Sequence, residues 1–507
     1  MIFGKILPNK SIILIIRWRA AIVNPFAKFA PKEHSLIPQN EERVFSRKDI
    51  RKIVIPILLQ NLLGIAIGMI DSMMVSNKGE AAFAGVSLVN SLDTVLITLF
   101  SALTAGGSVV LAQAMGRKDR EYACSAAKQM LYITTIAAAT ISASVLILRK
   151  PILQLLFGNV EQSVMDSALA YFFFIAISFP FLAVEYSVGA TLRAQGDSMT
   201  SLKISMLMNV LNIGGNAILI YGVDLGAAGA AIATLFSRVI GATIKLFIIH
   251  KKSLYIRIQK LFRYRPDGGM IKAILRIGVP NGIENTMFQF GRLMTSSLVS
   301  SLGTTAIAAN AAALSLANLQ YTAGGAIQSA MVAVIGRCVG AKKKEQTKHY
   351  AWYLLGLGYA IVGSAAIFLC IFSSPLLRLY GLSGDTSEVA RQLLFYHGVF
   401  SIFIWPIGFC LPPAFRSASD VKFTMVISTF SMWAFRVALG YVMALETVSV
   451  FGLFTFSGLG MGVMGVWVAM TVDWVFRSVL FFWRFISGRW LAIFKRFEEK
   501  EKQSQAA

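Results

Sequence analysis

A small set of carboxylate and amide side chains interrupts the long apolar runs of this sequence. Asp71 lies beyond the middle of the first run. A charge at mid-bilayer costs about 2.5–3.5 kcal/mol, so this carboxylate invites a functional interpretation: it could bind a cation or exchange a proton. Asn212 and Asn216 are four residues apart and share one helix face. Their amide oxygens could complete a sodium site, hold Asp71 in place, or simply join helices by hydrogen bonds.

Further polar residues within the runs are candidates for a cavity wall or a gate: Gln60, Asn90, Asp93, Glu185, Glu284 and Arg292. Glu284 and Arg292 are eight residues apart on one face, but two helical turns separate them by about 12 Å, too far for a ready pair. Arg292 could neutralise an acid across a cavity and Glu284 could close an inner gate, with structural pairing as the alternative. Near the C-terminus, Arg436 and Asp473 are predicted to form a salt bridge with each other.

The inventory of reactive side chains argues against an enzyme. The four histidines are scattered, so no metal cluster or nucleophile–base set is visible. The four cysteines show no paired spacing and are interpreted as structural thiols. No GxxxxGK[ST] loop is present to bind ATP. We therefore expect no catalytic residues, no protein-bound metal apart from a possible Na⁺ at the Asp71 cluster, and no cofactor.

The elements that hold these side chains are predicted to be membrane-spanning helices. The chain has 507 residues, of which 56% are hydrophobic and 14% charged, with a mean hydropathy of +0.65. Such a chain cannot cover itself with a polar surface. Continuous apolar runs such as 130–148, 171–190 and 352–372 can each cross about 30 Å of hydrocarbon. About twelve runs can be counted, and their continuity excludes a strand barrel.

The net charge of +23 has a topological origin. Basic residues concentrate in alternate connections between the runs rather than in one domain, so nucleic-acid binding is not expected. By the positive-inside rule, the basic connections and both termini are predicted to be cytoplasmic, in a multi-pass protein of the plasma (inner) membrane.

The chain also repeats itself. When Pro56 is set against Pro280, an offset of 224 residues aligns further pairs without a gap: Asn61/Asn285, Ser72/Ser296, Gly79/Gly303, Gly116/Gly340 and Lys118/Lys342. Arg193 faces Arg416 at an offset of 223, and Gly226 faces Gly462 after an insertion around residues 445–460. Six helices per half return the chain to the same side, so the halves are parallel repeats.

This periodicity divides the chain into five predicted regions. Residues 1–50 form a cytoplasmic tail and 51–250 the first lobe, with helices one to six. Residues 251–270 form a basic linker, 271–487 the second lobe, with helices seven to twelve, and 488–507 a cytoplasmic tail.

Several segments of this framework resemble a known family. They are 69–74 (MIDSMM), 112–116 (AQAMG), 193–197 (RAQGD), 212–216 (NIGGN) and 278–284 (GVPNGIE). Together they are similar to the multidrug and toxic compound extrusion (MATE) transporters of prokaryotic type, over roughly residues 50–490. The resemblance implies an all-α membrane protein in which two six-helix lobes form a V that opens to either side in turn. It also implies export of organic, often cationic, compounds in exchange for sodium ions or protons.

The sequence departs from the family pattern at two places. Asn216 stands where many relatives carry an acid in the fifth helix, which reduces the first-lobe carboxylate pair to Asp71. The acid that some relatives place in the tenth helix has no counterpart in residues 400–414. The identity of the coupling ion, Na⁺ or H⁺, is therefore left open, with a slight preference for sodium.

The predicted function is antiport: a monomer exports amphipathic, cationic small molecules and takes up Na⁺ or H⁺ by alternating access. A flippase for lipid-linked saccharides with the same two-lobe architecture is the alternative. Such a flippase should carry several cationic residues in its cavity to hold pyrophosphate, whereas the first lobe is acidic and rich in amides.

Overall fold

Long helices form almost all of the part of the chain that can be described. The computed structural model describes residues 42–158, 160–251, 253–259, 263–382, 384–450 and 454–506. Most of the predicted N-terminal tail lies outside these residues. The first helix begins at Arg47, where Ser46 and Asp49 form a reciprocal capping box.

The first half contains six helices. They are α1 (Arg47–Ser76), α2 (Glu80–Gly116), α3 (Arg120–Phe157), α4 (Gln162–Ala194), α5 (Ser198–Asn216, continued by a π-helical turn Ala217–Gly222) and α6 (Gly226–Ile249). Asp119 and Asp197 cap α3 and α5 by accepting hydrogen bonds from backbone N–H groups of the first turn.

The second half contains six more. They are α7 (Gly268–Ser300), α8 (Thr304–Gly340), α9 (Lys344–Leu379), α10 (Gly384–Trp405, Pro406–Cys410 and Pro412–Ser417), α11 (Val421–Ser431, Met432–Ala438 and Leu439–Ala444) and α12 (Gly462–Ile486). The middle segments of α10 and α11 are π-helical. A short 3₁₀ turn, Arg489–Leu491, leads to α13 (Ala492–Ala506).

Eleven of these helices are long and apolar enough to cross a membrane. The 33-residue α7 is also long enough, but its more polar composition sets it apart from the eleven. Counting α7, six spanning helices lie in each half. The prediction of about twelve transmembrane helices in an all-α membrane fold is confirmed.

The internal repeat is visible in the backbone itself. Residues with positive φ occur at corresponding turns of the two halves: Gly79 and Gly303, Lys118 and Lys342, Gly196 and Ser419, and Gly226 and Gly462. These matching turns follow the sequence offsets of 224 and 223 residues. Equivalent helices of the two lobes therefore begin and end at equivalent positions, as the predicted parallel repeat requires.

The insertion predicted around residues 445–460 forms a β-hairpin between α11 and α12. Strand β1 (Thr447–Val450) pairs antiparallel with β2 (Phe454–Ser457), with Thr447 opposite Ser457. This hairpin is an addition to the expected all-α fold. It lies at the helix ends opposite the basic connections, which is hereafter called the outer side.

Candidate functional site

Asp71 and the two asparagines come together where α1 and α5 approach the outer side. Asn216 Nδ2 donates to Asp71 Oδ1 at 2.6 Å. The Asn212 amide lies between Asp71 and Thr234, whose Oγ1 is 3.2 Å away. Asn212 is 6% exposed and Asn216 is 1% exposed, while Asp71 is half-buried. The three residues predicted to form the ion site are thus one cluster in the first lobe, called below the Asp71 cluster.

The orientation of the Asn212 amide decides what this cluster can bind. With its nitrogen toward the carboxylate, Asn212 donates to Asp71 Oδ1 at 2.8 Å and to Oδ2 at 3.0 Å, and accepts from Thr234. Two amide donors stabilise an ionised carboxylate, which can only accept. With the carbonyl oxygen toward Asp71, two acceptors face each other, and a proton or a cation must lie between them. One side chain can therefore serve both the empty and the loaded state.

The end of α5 holds these asparagines in place through an irregular turn. The π-helical turn Ala217–Gly222 begins directly after Asn216, and such turns occur frequently at functional sites. Tyr221 from this turn donates its hydroxyl to the Met74 carbonyl at 3.1 Å and accepts from Asn77 Nδ2 at 3.2 Å. These contacts tie the end of α5 to the end of α1, so both halves of the Asp71 cluster move as one unit.

The donor set of the cluster fits a small hard cation. Asn216 Oδ1 is buried and has no hydrogen-bond partner, which is costly for a polar atom in an apolar interior. With the two Asp71 oxygens and the Asn212 carbonyl, it could supply one charge and neutral oxygens, the ligand type that hard cations prefer. The uncompensated oxygen is thus explained if an ion occupies this position during part of the cycle.

Asn90 and Asp93 lie deeper in the first lobe and do not join this cluster. Asp93 Oδ2 is 3.4 Å from Arg238 Nη2, and Arg238 also donates to Ser178 at 2.7 Å. Asn90 Oδ1 accepts from the Tyr171 hydroxyl at 3.2 Å. Both residues predicted as possible cavity walls are engaged in contacts between helices of the first lobe.

Gln60 and Glu185 line a cavity of about 590 Å³ between the lobes, in the half nearer the basic turns. We call it the inner cavity. Glu185 Oε1 lies 3.0 Å from Lys245 Nζ, and Arg193 lines the same space. Gln60 donates to Ser205 at 2.8 Å. The inner cavity is therefore polar and carries both signs of charge.

Sequence reasoning missed two members of these pairs, Lys245 and Arg238. Both lie in the sixth apolar run, seven residues apart and thus on one helix face. Lys245 is 1% exposed, and a buried cation needs an anionic partner. Two cations on one face of a single span are a signal that could have been paired with Asp93 and Glu185 beforehand.

In the second lobe, Glu284 and Arg292 do not pair with each other, as their separation predicted. Glu284 Oε2 lies 3.3 Å from Arg416 Nη1 at the end of α10. Arg292 has no carboxylate within ion-pair distance among the described residues. The structural alternative therefore holds for Glu284, whereas Arg292 is left facing a cavity.

The predicted salt bridge between Arg436 and Asp473 is wrong. Asp473 Oδ1 is 2.7 Å from Arg477 Nη2, one turn further along α12, and also accepts from Ser431 at 2.6 Å. The i, i+4 spacing brings Arg477 to the carboxylate within a single helix. Arg436 instead contacts Met470 Sδ at 2.9 Å and the face of the Phe288 ring, 5.5 Å from its centroid.

The two lobes meet tightly at the side of the basic turns. A Cβ on Gly116 would lie 2.0 Å from the Arg337 carbonyl oxygen, and a Cβ on Gly340 would lie 1.9 Å from that of Gln113. Gln113 donates to the Ser417 carbonyl at 2.7 Å, and Arg337 donates to that of Ala194 at 2.6 Å.

These four contacts are related by the internal repeat. Gln113 corresponds to Arg337, Gly116 to Gly340 and Ala194 to Ser417. Each lobe therefore sends the end of its second helix against the other lobe in the same way. We call this pseudo-symmetric contact the inner gate, and the structure has it closed.

A second cavity of about 560 Å³ lies between the lobes on the outer side. Its second-lobe wall includes Gln289, Arg292, Asn310, Arg436 and Trp467, and its first-lobe wall includes Ser91 and Thr94. We call it the outer cavity. With the inner gate closed, this state is the one in which the outer cavity is accessible and the basic side is sealed.

Comparisons with known proteins agree with this architecture. A sequence model of the family described as MatE matches residues 56–218 and 280–442, one match in each repeat. The "Probable multidrug resistance protein NorM" of Thermotoga maritima is 28% identical over 475 residues, covering 92% of this chain and 96% of that relative. The "Uncharacterized transporter YisQ" of Bacillus subtilis is 24% identical, with coverage of 86% and 93%.

A solved structure supports the fold. The chain is similar, with a TM-score of 0.79 and 20% sequence identity, to a structure described as the outward-facing conformation of a multidrug resistance MATE family transporter. The similarity covers 90% of this chain and all of that one.

Proposed function

Because the chain belongs to the MATE family, we propose that it exports small organic compounds across the plasma membrane in exchange for sodium ions or protons. The observation that carries this proposal is the Asp71 cluster. It joins a half-buried carboxylate, an amide that can present either nitrogen or oxygen, and a buried oxygen with no partner. These features support reversible binding of a monovalent cation in the first lobe.

Coupling follows from what the ion does to the ends of α1 and α5. Without an ion, both asparagines donate to the Asp71 carboxylate. With a proton or sodium ion bound, the Asn212 amide turns its oxygen inward and its contact with Thr234 of α6 changes partner type. The loaded and empty clusters therefore hold α1, α5 and α6 by different bonds, and an ion that prefers one arrangement shifts the conformational equilibrium.

Alternating access is supported by the placement of the two cavities. The inner gate separates the inner cavity from the basic side, whereas the outer cavity opens on the opposite side. Reversing this arrangement requires the inner gate to part while the lobes close over the outer cavity. Parallel repeats that rock against each other provide such a movement.

Sodium is the slightly preferred coupling ion. Asn216 offers a carbonyl oxygen that can ligate sodium, yet an amide takes up no proton near neutral pH. One charge and several neutral oxygens favour a monovalent cation. Against this, Asp71 alone could carry a proton.

The experiment that tests the proposal compares wild-type protein with Asp71→Asn in inverted membrane vesicles. A panel of fluorescent organic compounds, both cationic and acidic, is supplied under a sodium gradient, a pH gradient or neither. We expect gradient-driven uptake by the wild type and none by Asp71→Asn, with similar expression and a similar elution profile for both. The exposed carboxylate Asp166 on α4 provides the control variant Asp166→Asn. Normal gradient-driven uptake by Asp71→Asn would rule the proposal out.

The flippase alternative is not favoured, since the matched family and the named multidrug relatives are MATE proteins. Cytoplasmic termini, the monomeric state, the five predicted regions and the preference for cationic compounds stay predictions.

A further inference from the structure

The second lobe carries more buried positive charge than its own carboxylates neutralise. Away from the helix ends, Glu284 is paired with Arg416. On the outer side of that pair, Arg292, Arg436 and Arg477 face the single carboxylate of Asp473. Asp473 is bound to Arg477, so two guanidinium charges remain without a carboxylate among the described residues of this lobe.

Both of these guanidinium groups line the outer cavity. Arg436 is 8% exposed, and the charge of Arg292 is close enough to act on it electrostatically. The contacts of Arg436 with the Met470 sulfur and the Phe288 ring leave its charge uncompensated, because a thioether is a weak acceptor and a ring offers only a partial charge. Two like charges beside one apolar cavity repel each other, and a buried charge without a partner is costly.

The rest of the cavity wall adds polar groups but no acid. Gln289, Asn310, Ser91 and Thr94 contribute amide and hydroxyl groups, and no aspartate or glutamate lines the space among the described residues. The nearby Asp93 is turned to Arg238 within the first lobe. Leu293, Leu314, Val466 and other apolar side chains supply a hydrophobic surface beside the two arginines.

The same region of the first lobe has the opposite character. At the repeat offset of 224 residues, the buried neutral residue Thr295 takes the place of Asp71. Arg436 lies one position past the residue that corresponds to Asn212 at the offset of 223. The first lobe thus presents a carboxylate and amides where the second presents a guanidinium group. The two lobes are built to hold ions of opposite sign.

We propose that the outer cavity binds the acidic group of a transported compound, a carboxylate or a phosphate, between Arg292 and Arg436. The planar guanidinium fork matches such a group by two parallel hydrogen bonds. The apolar wall would hold the body of an amphipathic molecule, which could carry a positive charge elsewhere. This inference rests on the proposed function and names the chemistry of its substrate.

A matched pair of dyes tests the proposal on the full-length protein purified in detergent. Rhodamine 110 carries a free carboxylate, and rhodamine 123 is its methyl ester. We expect rhodamine 110 to bind more tightly by fluorescence anisotropy, and Arg436→Gln or Arg292→Gln to weaken its binding about tenfold or more, as the loss of a charge-assisted hydrogen bond predicts. Binding of rhodamine 123 should change little.

Arg391→Gln is the control, since Arg391 is exposed on α10 and paired with Glu388. If Arg436→Gln fails to fold, Arg292→Gln still decides, because Arg292 is exposed to the cavity. A polyprenyl diphosphate added as competitor distinguishes a lipid-borne anion from a small organic acid. Equal binding of both dyes, unchanged affinity in both arginine variants, or binding of the diphosphate without any binding of rhodamine 110 would overturn the proposal. No ion gradient enters this assay, so its outcome is separate from that of the Asp71→Asn experiment.

Discussion

The inner gate offers a sharp perturbation, because one methyl group can be placed in the contact between the lobes. Gly340→Ala would put a Cβ 1.9 Å from the Gln113 carbonyl oxygen, and Gly116→Ala would put one 2.0 Å from that of Arg337. Carbon and oxygen atoms at such positions stay about 3 Å or more apart. Each substitution therefore needs the two helices to separate by about 1 Å. The obstacle is backbone, so no side-chain rotation relieves it.

The separation also weakens the hydrogen bonds that close the gate. Gln113 and Arg337 donate to carbonyls of the opposite lobe at 2.7 and 2.6 Å, and a further 1 Å takes both beyond hydrogen-bond length. Overpacking of this kind costs about 1–3 kcal/mol, and each lost bond about 0.5–1.5 kcal/mol. A total near 3 kcal/mol shifts the equilibrium between closed and open inner gate roughly a hundredfold toward open.

Pulsed dipolar spectroscopy measures this shift directly. Spin labels are placed at Glu121 and Lys344, one in each basic turn, in a background without the native cysteines. We expect a single short distance in the parent protein and a longer population in Gly116→Ala and Gly340→Ala, accompanied by reduced export. Gly363→Ala is the matched control, since a Cβ there meets no atom within 4 Å. Parent-like distances and export in both gate variants would show that this contact does not close the transporter.

Two further predictions concern the first lobe. Under sodium coupling, removal of sodium at constant pH and membrane potential should abolish wild-type export, and Asn216→Asp should alter the sodium concentration for half-maximal export because a second charge joins the cluster; undiminished export without sodium contradicts this. Lys245→Met should destabilise the protein by about 3–5 kcal/mol in thermal unfolding, since it strands the Glu185 carboxylate, and the double variant with Glu185→Gln should recover much of the loss. Equal stability of the single and double variants would show that the ion pair is not the cause.

Many features of the candidate site were accessible from the residues alone. Asp71 is recognisable because a carboxylate in an apolar run is costly, and Asn212 and Asn216 because a spacing of four places two amides on one helix face. Their association with Asp71 required the relation between α1 and α5, which only a family resemblance suggested. The 26-fold choice of rotamer or partner is not written in such local patterns, and the donating or accepting orientation of Asn212 emerges only when Asp71 and Thr234 lie on either side of it.

The sequence by itself determined the solvent, the helices and the repeat. Hydropathy depends on composition within one segment, and the offset between Gly116 and Gly340 is a property of the linear chain. Tertiary structure alone decided the partners: Lys245 for Glu185, Arg416 for Glu284, and no carboxylate for Arg436 among the described residues. A partner on another helix depends on how both helices are rotated and how deeply they cross, and neither quantity leaves a periodic trace in sequence. The expected Arg436–Asp473 pair failed for this reason, since a cation one turn away on the same helix reached the carboxylate first.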